Sequence, residues 1–189
     1  MQKEKIRWIT VKGTHIPIKE GQTAKEATAT FFARQNASYA EIMRETQKTV
    51  EIKKDRDIFR GVAREDYGRT VREYMRTHFR GKIVNDTEFT KTSEKEYTHS
   101  KNAINLYNKQ KNLYDAKMQA ATELDNIVKE SKFVSHEEAV HPHKYNQNGY
   151  DRYKVAFSID GQQFTGELLV AIDSNGRRVF YDIVRIKNK

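Results

Sequence analysis

Apolar and polar positions alternate most clearly near the C-terminal end of the chain. Tyr153, Val155, Phe157 and Ile159 are interleaved with polar or small residues, as in a half-buried strand. Phe164, Leu168, Val170 and Ile172 give a second run its apolar face, and residues 178–187 form a third. Asp160-Gly161 and Asn175-Gly176 separate these runs and supply the positive φ angles that two-residue hairpin turns need. The pattern predicts a three-stranded antiparallel meander.

Upstream the period changes. Residues 6–18 read as a β-hairpin whose second strand carries Pro17, which cannot donate to a ladder and belongs at an edge or a strand end. Thr23 followed by Glu26 is a capping-box pair, predicting a helix through Ala27, Phe31 and Phe32, with a second helix from about Ala37. Residues 50–52 predict a brief strand. Tyr67, Val71, Tyr74, Met75 and Phe79 fall at helical spacing over residues 64–79. Residues 81–92 read as strand and loop, residues 102–131 as a long helical stretch broken near Asn112, and residues 135–149 as an irregular loop. There is no internal repeat and no proline-rich or Gly/Ser-rich linker. The fold class expected is α+β: an N-terminal β-hairpin plus helices, then helices on an antiparallel sheet ending in the meander. The expected division is a basic module over residues 1–79 and a second domain over residues 80–189.

Charge narrows the class of partner. The 189 residues carry a formal net charge of +9 with a pI near 9.5, which favours a polyanion and nucleic acid above all. Residues 1–79 hold 17 Lys+Arg against 11 Asp+Glu, and residues 80–189 hold 18 against 15, so most of the excess lies in front. A solvated helical surface would give the same excess without a partner. The absence of cysteine excludes a disulfide scaffold, a thiolate zinc site and a cysteine nucleophile. No apolar run reaches membrane-spanning length and the N-terminus lacks a signal-peptide core, so no membrane partner and a cytoplasmic location in a host bacterial cell are expected.

The ending Phe180-Tyr181-Asp182-Ile183-Val184-Arg185-Ile186-Lys187, preceded by the helix-like Glu123-Leu124-Asp125-Asn126-Ile127-Val128 and a His-rich loop, resembles a domain of phage and mobile-element polyproteins. That domain is grouped with the barnase, EndoU, colicin and RelE-like nucleases, which are small RNases that work without a metal. The resemblance covers roughly residues 80–189 and takes in Gly81-Lys82-Ile83-Val84 and residues 92–101. A second string, Arg7-Trp8-Ile9-Thr10-Val11-Lys12-Gly13-Thr14-His15-Ile16-Pro17-Ile18, resembles a portable module of phage head proteins and of some inhibitors of type II CRISPR systems. Together the resemblances imply an anti-CRISPR protein that binds a Cas9 ribonucleoprotein and cleaves or truncates its guide RNA, with no cofactor and no metal. Two other readings stay open: an inactive protein that blocks Cas9 or its guide, and a head-associated or toxin RNase acting on host RNA. Oligomeric state is not legible.

Cleavage of RNA without a metal needs a base for the 2′-hydroxyl, an acid for the 5′-oxygen and cations for the phosphorane-like transition state. His141, His143 and Lys144 put two imidazoles and an ammonium beside Pro142, and lead into Arg152, Tyr153 and Lys154 on the first meander strand. An inert polar loop explains the same histidines equally well. His136, His141 and His143 with Glu137 or Glu138 form a weaker zinc set whose spacing matches no established motif. A second group centres on His99 as acid or base, with Lys101 as a phosphate contact. Arg178 beside the last turn is a further phosphate candidate. The candidates are therefore His141, His143, His99 and Tyr153 for catalysis, and Lys101, Lys144, Arg152, Lys154 and Arg178 for RNA. Phosphate-binding glycine loops, GxSxG and HExxH are absent from the sequence.

Overall fold

A computed structural model of the chain describes residues 7–11, 14–18, 21–44, 48–53, 58–139, 142 and 144–189. It has two compact units, Met1–Glu45 and Thr46–Lys189. The architecture is α+β.

In the first unit, β1 (Arg7–Val11) and β2 (Thr14–Ile18) form an antiparallel hairpin with Trp8 opposite Pro17. The helix α1 (Ala24–Arg44) starts at the expected capping box: the Thr23 amide donates to Glu26 Oε2 at 2.9 Å, and the Glu26 amide donates to Thr23 Oγ1 at 3.2 Å. Two helices were expected here and one is found, because residues 24–44 contain no Gly or Pro to interrupt it. Ile16, Ile18 and Ala27 form its small core, with Ile9, Phe31 and Phe32 packed against them.

The second unit is built on a seven-stranded sheet. Its strands are β3 (Val50–Ile52), β4 (Ile83–Val84), β5 (Thr87–Glu88), β6 (Lys132–Glu137), β7 (Tyr150–Ile159), β8 (Gln162–Ile172) and β9 (Arg178–Asn188). Their order is β3-β7-β8-β9-β5-β4, with β6 also on β7. One edge of β7 is therefore shared: β6 runs antiparallel along its first half, and β3 parallel along its second. The Asp160-Gly161 turn is as expected, with φ of 52° and 80°. The second connection is longer than a two-residue turn. Asp173 Oδ1 accepts from the amides of Asn175 and Arg177, and within 173–177 only Gly176 has positive φ.

The strand β6 has six residues, and its last three, 135–137, fall where the sequence pattern predicts irregular loop. The long helical stretch is α4 (Lys101–Lys109), α5 (Lys111–Ala120), a 3-10 turn and α6 (Leu124–Lys129); its first break, expected near Asn112, falls at Gln110, whose φ of −142° ends the helix. Before it, α3 (Lys91–His99) begins at a capping box in which Thr90 and Ser93 serve each other. The helix α2 (Tyr67–His78) follows a 3-10 turn at residues 64–66.

The core lies between the helices and one face of the sheet. Phe89, Phe180 and Tyr97 are nearly inaccessible, and Phe89 stacks on Phe79 and Phe180 at centroid distances of 5.2 and 4.8 Å. Val50, Ile52, Val71, Met75 and Phe79, which the sequence division puts in the N-terminal module, belong to the same core cluster as Phe157, Leu168 and Ile183.

Candidate functional site

The bulge in β6 decides which side chains meet. Phe133 pairs with Tyr153, but Ser135 pairs with Arg152 and His136 with Asp151, so Val134 is an extra residue. Phe133 and His136 are three positions apart and would point to opposite faces of a regular strand. The extra residue puts both opposite odd-numbered positions of β7, on the face that carries Val155 and Phe157.

Four polar side chains converge there. His136 Nδ1 lies 2.8 Å from Asp151 Oδ1, Arg178 Nη1 donates to Asp151 Oδ2 at 2.5 Å, and Arg178 Nη2 donates to the Tyr153 hydroxyl. Each element supplies one part: β6 the imidazole, β7 the carboxylate and phenol, β9 the guanidinium. A carboxylate oxygen accepts, so on this contact His136 Nδ1 donates, and Nε2 is the ring nitrogen that Asp151 does not engage. Glu138 Oε1 is 3.8 Å from Nε2, beyond a hydrogen bond. Asp151 is nearly buried, whereas the His136 side chain is 40% exposed and can reach a ligand. Burial pushes the Tyr153 phenol above its ordinary value of 10, with Arg178 opposing, so the hydroxyl keeps its proton at neutral pH.

His136 opposite Asp151 and Glu137 opposite Tyr150 are the last two rungs of the β6–β7 ladder, and residues 138–149 connect the strands. Gly149 has φ of 80°, and a Cβ there would stand 2.2 Å from the Glu137 carbonyl oxygen, so the close only accepts glycine. Asn148 N donates to Ile172 O and Ile172 N to Gly149 O, tying this end of the loop to β8. His141 and His143 lie outside the described residues. Lys144 is exposed, with its ammonium 5.7 Å from the Tyr145 ring centroid.

The other expected residues separate. Arg152 and Lys154 occupy the opposite face of β7 from Tyr153 by strand alternation. Arg152 Nε lies 2.7 Å from Glu137 and Nη1 donates to Glu167 at 2.9 Å, while Glu167 also accepts from Arg185. Two carboxylates thus already neutralise the Arg152 guanidinium. Lys154 is buried, opposite Glu167. Among the described residues, Tyr153 and Arg178 are the two expected catalytic or RNA-binding residues brought into contact; Asp151 is missing from the expected set, and His136 enters it only as a ligand of the weaker zinc set. Reading residues 132–137 as a strand would have found His136, but the six residues lack simple alternation because the bulge breaks it.

His99 stands in a separate neighbourhood at the end of α3. Arg72 Nη2 is 2.7 Å from His99 Nδ1, and a guanidinium can only donate, so Nδ1 accepts and the ring is neutral with its proton on Nε2. Burial, then Arg72 and Lys95, push its pKa below 6.5. The one basic nitrogen is therefore occupied. Lys101 is exposed at the start of α4. Between them Ser100 donates to Asp182, which takes a second hydrogen bond from Lys117 at 2.5 Å in the core.

No three His, Asp or Glu side chains among the described residues are placed to hold a metal ion. A groove of about 850 Å³ lies at the other end of β7, lined in part by Ile52, Phe59, Arg60, Tyr67 and Gln162, and contains none of the candidate residues. No helix among the described residues is long and apolar enough to cross a membrane.

An α+β unit with a polar cluster at a strand end is the class that the fold defines. Residues 63–181 match the large polyvalent protein-associated domain 3, and the chain belongs to that family. No curated protein and no solved structure matches the chain.

Proposed function

We propose that this chain is an endoribonuclease of a phage or other mobile element, acting without a metal, with His136, Asp151, Tyr153 and Arg178 as its reacting cluster. The observation that carries the reading is the 2.8 Å His136–Asp151 contact beside the Arg178–Tyr153 pair, at the root of the loop that holds His141, His143 and Lys144. Its support is the net charge of +9, which suits a phosphate polymer, and membership of a family associated with polyvalent proteins.

In this reading Asp151 fixes the imidazole and His136 Nε2 takes the 2′-hydroxyl proton. The 2′-oxygen attacks the neighbouring phosphorus while Arg178 offsets the growing charge. The bond to the 5′-oxygen breaks, and the Tyr153 hydroxyl gives that oxygen its proton. The products are a 2′,3′-cyclic phosphate and a 5′-hydroxyl. The proton on His136 returns to the Tyr153 phenolate through solvent, which restores the site. Lys144 supplies a phosphate contact from the loop.

The narrower form of the proposal takes the guide RNA of a Cas9 ribonucleoprotein as the target, on the likeness of the β1–β2 strands to modules of type II CRISPR inhibitors. An inactive blocker of the same complex and a toxin that cuts host RNA give different outcomes in one assay. Purified chain in excess EDTA is incubated with end-labelled guide RNA or tRNA, with and without Cas9. Fragments ending in cyclic phosphate are expected, and the lane that holds them names the target. Intact RNA in every lane overturns the nuclease proposal, and retention on the Cas9 complex would then identify a blocker.

A further inference from the structure

A single exposed aromatic residue usually needs no function. Phe133 differs because of what shares its face. It is 53% exposed on β6, its ring lies 5.6 Å from the Tyr153 ring at an interplanar angle of 74°, and Tyr153 holds Arg178. The extra residue Val134 sets Phe133 and His136 on the same face, opposite Tyr153 and Asp151. Those two rungs lie two positions apart on β7, about 7 Å at the rise of a strand. An open aromatic face therefore stands one short step from the imidazole, with the guanidinium between the two rungs' side chains.

We infer that Phe133 is a stacking platform for an unpaired base next to the bond being cut, which makes single-stranded RNA the substrate class. The inference rests on the ribonuclease reading for the identity of its ligand. A base can lie on the ring only when its own faces are released, so a paired helix is excluded while any of the four bases is accepted. The edge-on contact with Tyr153 holds the Phe133 ring in place, so little rotamer freedom is lost when a base arrives. Phe133 is not part of the reacting cluster in this role. It sets where the strand lies, and the cluster beside it acts on the phosphate.

Binding is measured in the full chain carrying His136→Ala, so that cleavage does not enter. The probes are an unpaired oligouridine RNA and the same strand hybridised to its oligoadenine complement. Loss of one base stack is worth ~1–3 kcal/mol, so Phe133→Ala should weaken binding of the unpaired strand by roughly 5- to 140-fold. The duplex should bind more weakly, and equally to both proteins. Phe133→Trp combined with Trp8→Phe should restore affinity, and the introduced indole should be quenched by the unpaired strand alone. Equal binding of the unpaired strand with and without Phe133→Ala, or equal quenching by the duplex, overturns the platform. The two readings fail separately. A chain that cuts nothing yet loses unpaired-strand binding on Phe133→Ala keeps the platform and loses the nuclease. A chain that cuts RNA equally well with Phe133→Ala keeps the nuclease and loses the platform.

Discussion

Lys117 and Asp182 are both removed from water, at 0% and 2% side-chain exposure. Burial pushes the Lys117 pKa down and the Asp182 pKa up, and their mutual attraction opposes both shifts. The pair survives because its remaining capacity is filled: Asp182 also accepts from Ser100 and from the Ile183 amide, and the Lys117 ammonium lies 5.0 Å from the Tyr97 ring centroid. Lys117→Met or Asp182→Leu alone should cost about 3–5 kcal/mol in denaturant unfolding, because each strands a buried charge. The double variant should recover most of that loss; equal losses in the single and double variants would contradict the argument. His99 acts at the same scale with the opposite exposure. Its folded pKa is depressed, so the stability tied to the neutral ring is fully present above pH 6.5 and falls as the pH drops below that value toward the folded pKa. His99→Gln should flatten this part of the pH profile of unfolding, measured as the difference from wild type. None of this was legible in the sequence, since Arg72 and His99 are 27 positions apart and Lys117 and Asp182 are 65 apart.

At the scale of elements, legibility followed regularity. The three meander strands, the β1–β2 hairpin, the short β3 and the Thr23 cap come from local periods and local caps, and the sequence carries those directly. The strand β6 was missed because Val134 interrupts its alternation, and that same interruption is what brings His136 to Asp151. The helix α3 was missed because its buried side includes Ser93, Glu94 and Thr98, which carry no apolar stripe. Glu94 is buried there because Arg80 clamps it with two hydrogen bonds of 2.6 and 2.7 Å, a partner supplied by tertiary structure. Gly149→Ala must displace the Glu137 carbonyl and adopt a strained φ, so it should destabilise the unit by about 1–3 kcal/mol and open the β6–β7 ladder at the His136 rung. Hydrogen exchange of the β6 and β7 amides checks it. Unchanged protection at Glu137 and Tyr150 would refute the assignment.

For the whole molecule, the core of the second unit is self-contained: residues 50–79 and 80–189 share one cluster, while the first unit has its own around Ile16 and Ile18. A chain of Thr46–Lys189 should therefore unfold in a single cooperative transition. Loss of cooperativity in that fragment would mean that the first unit is needed to complete the fold. The basic excess also acts at this scale, because polyanion binding sums over many cations and weakens steeply with salt. Composition conveyed that much before any residue was placed. What composition and motif search could not convey is which imidazole meets a carboxylate, since the pairing depends on a one-residue bulge. The most direct measurement is the EDTA-resistant cleavage of unpaired RNA by wild type, His136→Asn and the His141→Ala/His143→Ala pair. Wild type should cleave, His136→Asn should lose at least about 100-fold, as expected for removal of a general base, and both variants should unfold as wild type does. Full cleavage by His136→Asn would contradict that role and move the chemistry to the loop histidines or off the protein altogether.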